Sequence, residues 1–130
     1  MKNRRLAAWA VAIGVLVVSG PVLAHHAATN YETDKLITLQ GTVTEFRFVT
    51  PHPHVYFQVK DESGNVTDWI AESGGPPAWW YNSGWRANAM KPGDAVTITG
   101  GPSKDGRKML RIRKIVIPSG KEWTEGAAAQ

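Results

Sequence analysis

Hydrophobic and polar positions alternate with a period of two through the middle of the chain. Val55, Phe57 and Val59 alternate with His54, Tyr56, Gln58 and Lys60, the pattern of a strand with one face in a core. Asp61-Glu62-Ser63-Gly64-Asn65 follows as a turn, because Gly and Asn tolerate positive φ. Val66 to Glu72 then returns as a strand. Leaving those turn residues unpaired sets Lys60 opposite Val66, Gln58 opposite Asp68, Tyr56 opposite Ile70 and His54 opposite Glu72. Paired residues share a face. Val55, Phe57, Val59, Thr67, Trp69 and Ala71 therefore gather on the core side. A slip of one residue would carry Trp69 to the polar side, so the pattern favours this register.

Upstream, Leu36 to Val49 is rich in β-branched and aromatic residues and reads as a first strand. Its alternation slips between Glu45 and Phe46. A bulge there would bring Phe46 and Phe48 onto the same face as Val43. Pro51 and Pro53 end the strand. Downstream, Ser73-Gly74-Gly75-Pro76-Pro77 interrupts the sheet. Proline suits a helix start and Gly84 suits the position past a helix end, which predicts a short helix over 77–83. Lys91-Pro92-Gly93-Asp94 is a turn, Ala95 to Gly100 a fourth strand, Asp105-Gly106 a hairpin turn, and Met109 to Ile117 a fifth strand. Leu110 and Ile112 point inward there, with Ile115 or Ile117. The predicted fold is all-β, a five-stranded OB-like Greek-key barrel with one short helix between strands 3 and 4. A β-sandwich would want about seven strands.

The ends change the picture of the middle. Lys2, Arg4 and Arg5 precede an apolar run from Leu6 to Ser19, and Val22-Leu23-Ala24 closes it with small residues where signal peptidase requires them. Residues 1–24 read as a cleavable secretory signal peptide, cut after Ala24, with a periplasmic product. The run falls short of the ~20 residues of a spanning helix, so no stable membrane insertion is expected after cleavage. Residues 25–35 read as an extended arm, 36–120 as the barrel, and 121–130 as a flexible tail. The chain has 15 basic and 11 acidic residues; without Lys2, Arg4 and Arg5 the basic count is 12, a net charge of +1. That balance argues against a nucleic-acid partner, which would call for a clustered basic face. There is no cysteine, so packing alone must hold the domain.

All four histidines fall in two groups. His25 and His26 would open the mature chain, and His52 and His54 flank Pro53 where strand one becomes strand two. His52 and His54 project to one side of an extended backbone, with Glu72 across from His54. Imidazole with carboxylate suits zinc, copper or nickel. A free α-amine on His25 would add a chelating nitrogen, and amine, amide and the His26 imidazole together favour Cu(II) or Ni(II). The first reading is a periplasmic, non-enzymatic binding protein holding a transition metal, copper before zinc, through His25, His26, His52, His54 and Glu72. The second is an OB-type module for a saccharide, peptide or periplasmic partner protein, using an aromatic surface of Tyr56, Trp79, Trp80 and Trp85, with one or two of Trp79, Trp80, Tyr81 and Trp85 expected to plug the barrel end as core. No serine sits in a nucleophile setting, and no catalytic residues are assigned.

Several motifs are shared with a known group. His25-His26 after the signal, Gly41-Thr42-Val43-Thr44-Glu45-Phe46, Thr50-Pro51-His52, Trp69 to Glu72, Gly84-Trp85 and Lys91-Pro92-Gly93-Asp94 resemble a family of small exported bacterial proteins of unknown function. The resemblance covers nearly the whole chain after Ala24. Asn-Pro-His is usual in that family where this chain has Thr50-Pro51-His52. Membership implies a periplasmic OB-like barrel and carries no established activity.

Overall fold

The computed structural model describes residues 29–126. Among the described residues the chain runs through β1 (Ile37–Arg47), β2 (His54–Lys60), β3 (Val66–Glu72), a short helix α1 (Pro77–Asn82), β4 (Ala95–Pro102), β5 (Met109–Val116) and β6 (Glu122–Thr124). β1 pairs antiparallel with both β2 and β4, β2 with β3, and β4 with β5. A parallel pairing of β3 with β5 closes the sheet on itself. The result is a mostly β, five-stranded mixed barrel of the OB type, with α1 between β3 and β4.

The β2–β3 register runs from Lys60↔Val66 to His54↔Glu72, as the turn count requires. The bulge in β1 falls at Thr44, skipped between the pairs Val43↔Phe57 and Glu45↔Tyr56. It resets the phase, so that Phe46 and Phe48 pack on the same core as Val43. A second irregularity skips Arg113 of β5, between Gly100↔Ile112 and Thr99↔Lys114. It is what lets Leu110, Ile112 and Ile115 all face inward despite their uneven spacing.

The helix starts on Pro77 and ends at Ser83, and Gly84 adopts φ +80, the conformation that favours glycine. Its Trp80 drives into the barrel end. That indole stacks on Trp123 at 4.4 Å and meets Trp85 edge-on at 5.6 Å. Trp80 Nε1 donates to Ser73 Oγ at 2.9 Å, which satisfies the one polar atom the ring buries.

One expectation about the ends needs correction. Of the flexible tail expected over 121–130, the described part is paired: Trp123 sits opposite Ile115 and is buried against Trp80, and 127–130 lie outside the described residues. Glu125 then accepts from both Arg111 and Arg113. Burying an indole and meeting two guanidinium groups outweighs the entropy that would fray a polar tail. The arm is anchored too. Tyr31 bridges to Ser103, the Glu32 N–H donates to the Pro102 carbonyl and the Lys104 N–H donates to the Asn30 carbonyl.

Candidate functional site

The outer face of β1, β2 and β3 carries the polar members of the alternating pattern. Arg47 lies beside His54, and His54 beside Glu72. Glu45, Tyr56 and Ile70 form the next row. The cross-strand register therefore delivers His54, Tyr56 and Glu72 to one patch. His54 Nε2 stands 3.7 Å from Glu72 Oε1, and both side chains are largely covered. The His54 and Tyr56 rings lie 6.3 Å apart. Arg47 forks onto Glu45, Nε to Oε1 at 2.7 Å and Nη2 to Oε2 at 3.1 Å, and its guanidinium lies 4.8 Å over the Tyr56 ring. The Arg47 hydrogen bond holds the Glu45 carboxyl below the ordinary carboxylate range.

Tyr31 completes the patch, and nothing in the sequence marked it. Its ring is 7% exposed, and its hydroxyl donates to Glu72 Oε2 at 2.9 Å. Burial first, then the Glu72 hydrogen bond and charge, push the phenol well above its ordinary range, so it is a neutral donor at any working pH. Asp105 and Arg107 of the β4–β5 loop also act on that phenol. Ser103 and Arg107 in turn hold the Asp105 carboxyl below its ordinary range. Tyr31 thus ties the arm, the end of β3 and the β4–β5 loop together.

The remaining candidates divide. His52 lies at the Pro-rich corner, where its Nδ1 is buried with no hydrogen-bond partner among the described residues. His25 and His26 lie outside the described residues. Among the described residues no three His, Cys, Asp or Glu side chains converge as a metal cage. Of the aromatic candidates, Tyr56 stands on the patch, but Trp80 and Trp85 are fully buried and belong to the core. Six residues of helix that carry two indoles and a phenol in succession turn one of them, Trp80, into the barrel, and Gly84 turns Trp85 in after it. Trp79, 46% exposed, stays on α1 against Gly75. Tyr81, 55% exposed, carries Arg86 over its ring at 3.7 Å. The expected four-residue aromatic surface does not form.

A second concavity adjoins the patch. It holds about 600 Å³ and is lined by Tyr56, Asp68 and Trp69 on one wall and Arg107, Lys108 and Met109 on the other. Trp69 and Lys108 line it without having been singled out for a site. Lys108 Nζ lies 5.3 Å from the Trp69 ring.

No curated protein matches the chain. Its fold is similar to one in the crystal structure of yeast Stn1 and Ten1, with 13% identity and a TM-score of 0.42 over 63% of this chain and 42% of that one. It is also similar to part of TiaS in its complex with an isoleucine tRNA, AMPCPP and agmatine, with 21% identity and a TM-score of 0.42 over 67% of this chain and 19% of that one. The chain spans less than half the length of either. The model of the family of unknown function DUF6152 matches residues 11–111, and the chain belongs to that family.

Proposed function

We propose that this is a non-enzymatic binding protein of the bacterial periplasm that holds a transition metal, Cu(II) before Zn(II), at the His54–Glu72 end of the barrel. One observation carries the reading. The Tyr31 hydroxyl reaches Glu72 while Asn30 accepts from the Lys104 N–H, so the arm is held one side-chain length from the His54–Glu72 pair where it continues back toward His26 and His25. The path from Tyr31 to His25 is six residues, which spans at most ~20 Å when extended. That length lets the arm fold back onto the pair.

His54 Nε2 and a Glu72 oxygen supply two donors at the barrel. His25, with its α-amine free after cleavage at Ala24, supplies two more, and His26 or His52 is the remaining imidazole. Nitrogen-rich sites with one carboxylate suit Cu(II) and Zn(II). The arm brings the ligands that the barrel lacks, so the site assembles only in the exported, processed protein.

The test is a competition titration of Cu(II) into protein that begins at His25. The expected result is tight binding that weakens as pH falls, because protons compete for amine and imidazole. One extra residue ahead of His25 should weaken it at least tenfold, and so should His54→Ala or Glu72→Gln. Equal affinity in wild type and in both barrel variants would show that the barrel takes no part, and the proposal would fail.

A further inference from the structure

We propose that the slot between β3 and the β4–β5 loop accepts an extended peptide segment as an added strand, one that carries an acidic side chain among apolar ones. This goes beyond the metal reading and rests on other residues. β3 and β5 pair only from Ile70↔Met109 to Glu72↔Arg111. Over its first half β3 therefore has β2 on one side and the slot on the other. The direction of its backbone groups follows from parity. In an antiparallel pair, alternate residues aim their N–H and C=O groups at opposite edges. The Ile70 N–H donates to the Lys108 carbonyl on the β5 side at 3.0 Å. Val66 and Asp68 share the parity of Ile70, so their main chains face the slot. Among the described residues no strand pairs with them there.

An edge of this kind is the template for strand addition, in which main-chain hydrogen bonds give affinity and alternate side chains give specificity. The walls say which side chains. Trp69 and Met109 offer apolar contact. Lys108 has no carboxylate partner among the described residues; its ammonium meets only the Trp69 face. Arg107 beside it is already held by Asp105, at 2.6 Å. Asp68 is turned to Gln58, whose amide donates to Oδ1 at 2.9 Å. Asp68 keeps its negative charge but leans to Gln58 on the β2 side, so the charge without an ion partner on the loop wall, facing an incoming strand, is the positive one of Lys108, and the contact beside it is an indole and a thioether. A carboxylate flanked by apolar residues complements both. A basic peptide would meet Lys108 as a like charge.

The test uses an array of immobilised nine-residue peptides of systematically varied charge and hydropathy, probed with the labelled protein in the presence of a chelator. The chelator makes the outcome independent of metal. Retained sequences should place Asp or Glu between apolar residues. N-methylating alternate backbone amides of a retained peptide should abolish binding, and Lys108→Glu should weaken it tenfold or more. Amide NMR shifts in the wild-type complex should fall on Val66, Asp68 and Lys108. An array that retains nothing, retention of Lys-rich sequences, or indifference to N-methylation or to Lys108→Glu would each overturn the proposal. So would an oligothymidylate or a maltooligosaccharide that shifts the slot amides where the peptides do not.

Discussion

At the scale of single residues, the contact of most consequence joins two groups 41 positions apart in sequence. Tyr31 buries its ring and gives its one proton to a carboxylate that also faces His54. A hydrogen bond to a charged acceptor contributes about 1.5–3 kcal/mol, and the partial exposure of Glu72 places this one at the low end. Tyr31→Phe should therefore cost about 1–2 kcal/mol in urea unfolding while leaving the ring packed. An unfolding midpoint equal to that of wild type would show that the bond is not made in solution. His54 opposite Glu72 was legible in the sequence, because the residues of one tight turn fix every pair behind them. Tyr31 was not, because residues 25–35 have no periodicity and its partners come from β3 and from the β4–β5 loop. Glycine and serine beside Tyr31's landing site carry no local signal that an arm will lie there.

At the scale of elements, the barrel was legible wherever a strand was long enough to show its period. The five principal strands and α1 fall where alternation and the turn residues put them. β6 escaped because three residues, Glu122-Trp123-Thr124, cannot display a period. Its logic is tertiary: Trp123 supplies the flat face that Trp80 needs inside the barrel. The same packing takes Trp80 and Trp85, two of the surface candidates, into the core. A cluster of aromatics on a short helix looks alike in sequence whether it plugs a core or displays a surface, and only the barrel mouth decides. Trp123→Ala should accordingly cost about 3–5 kcal/mol, the range for deleting a buried large aromatic. The measurement is a chemical denaturation curve with its slope compared, since an unchanged slope shows that the unfolding unit still includes the whole barrel. A loss below about 1 kcal/mol would return 121–126 to the status of a loose tail.

At the scale of the whole molecule, the arm and the barrel form one device, and the joint between them is Gly101. This residue is buried in β4, and a Cβ built on it would overlap the carbonyl of Glu32. Absence of a side chain is what lets the arm lie across the strand. The neighbouring Glu32 N–H then donates to the Pro102 carbonyl at 2.9 Å, and Tyr31 is delivered to Glu72. Gly101→Ala fills that space with backbone on the other side, which a side-chain rotation cannot relieve, so the arm must lift. The barrel pairings of β4 with β1 and β5 do not pass through that contact, and the domain should still fold, as circular dichroism would register. If the metal reading holds, this substitution should lower Cu(II) affinity as far as His54→Ala does, although it touches no proposed ligand. Tyr31→Phe, which loses the Glu72 bond but keeps the packed ring and the arm's backbone bonds to Pro102 and Lys104, should lower it less. That ordering separates a site assembled by arm docking from one in which the two histidine groups bind independently. Independent sites would leave Gly101→Ala with wild-type affinity at the amino-terminal site, and the joint at Gly101 would then serve stability alone.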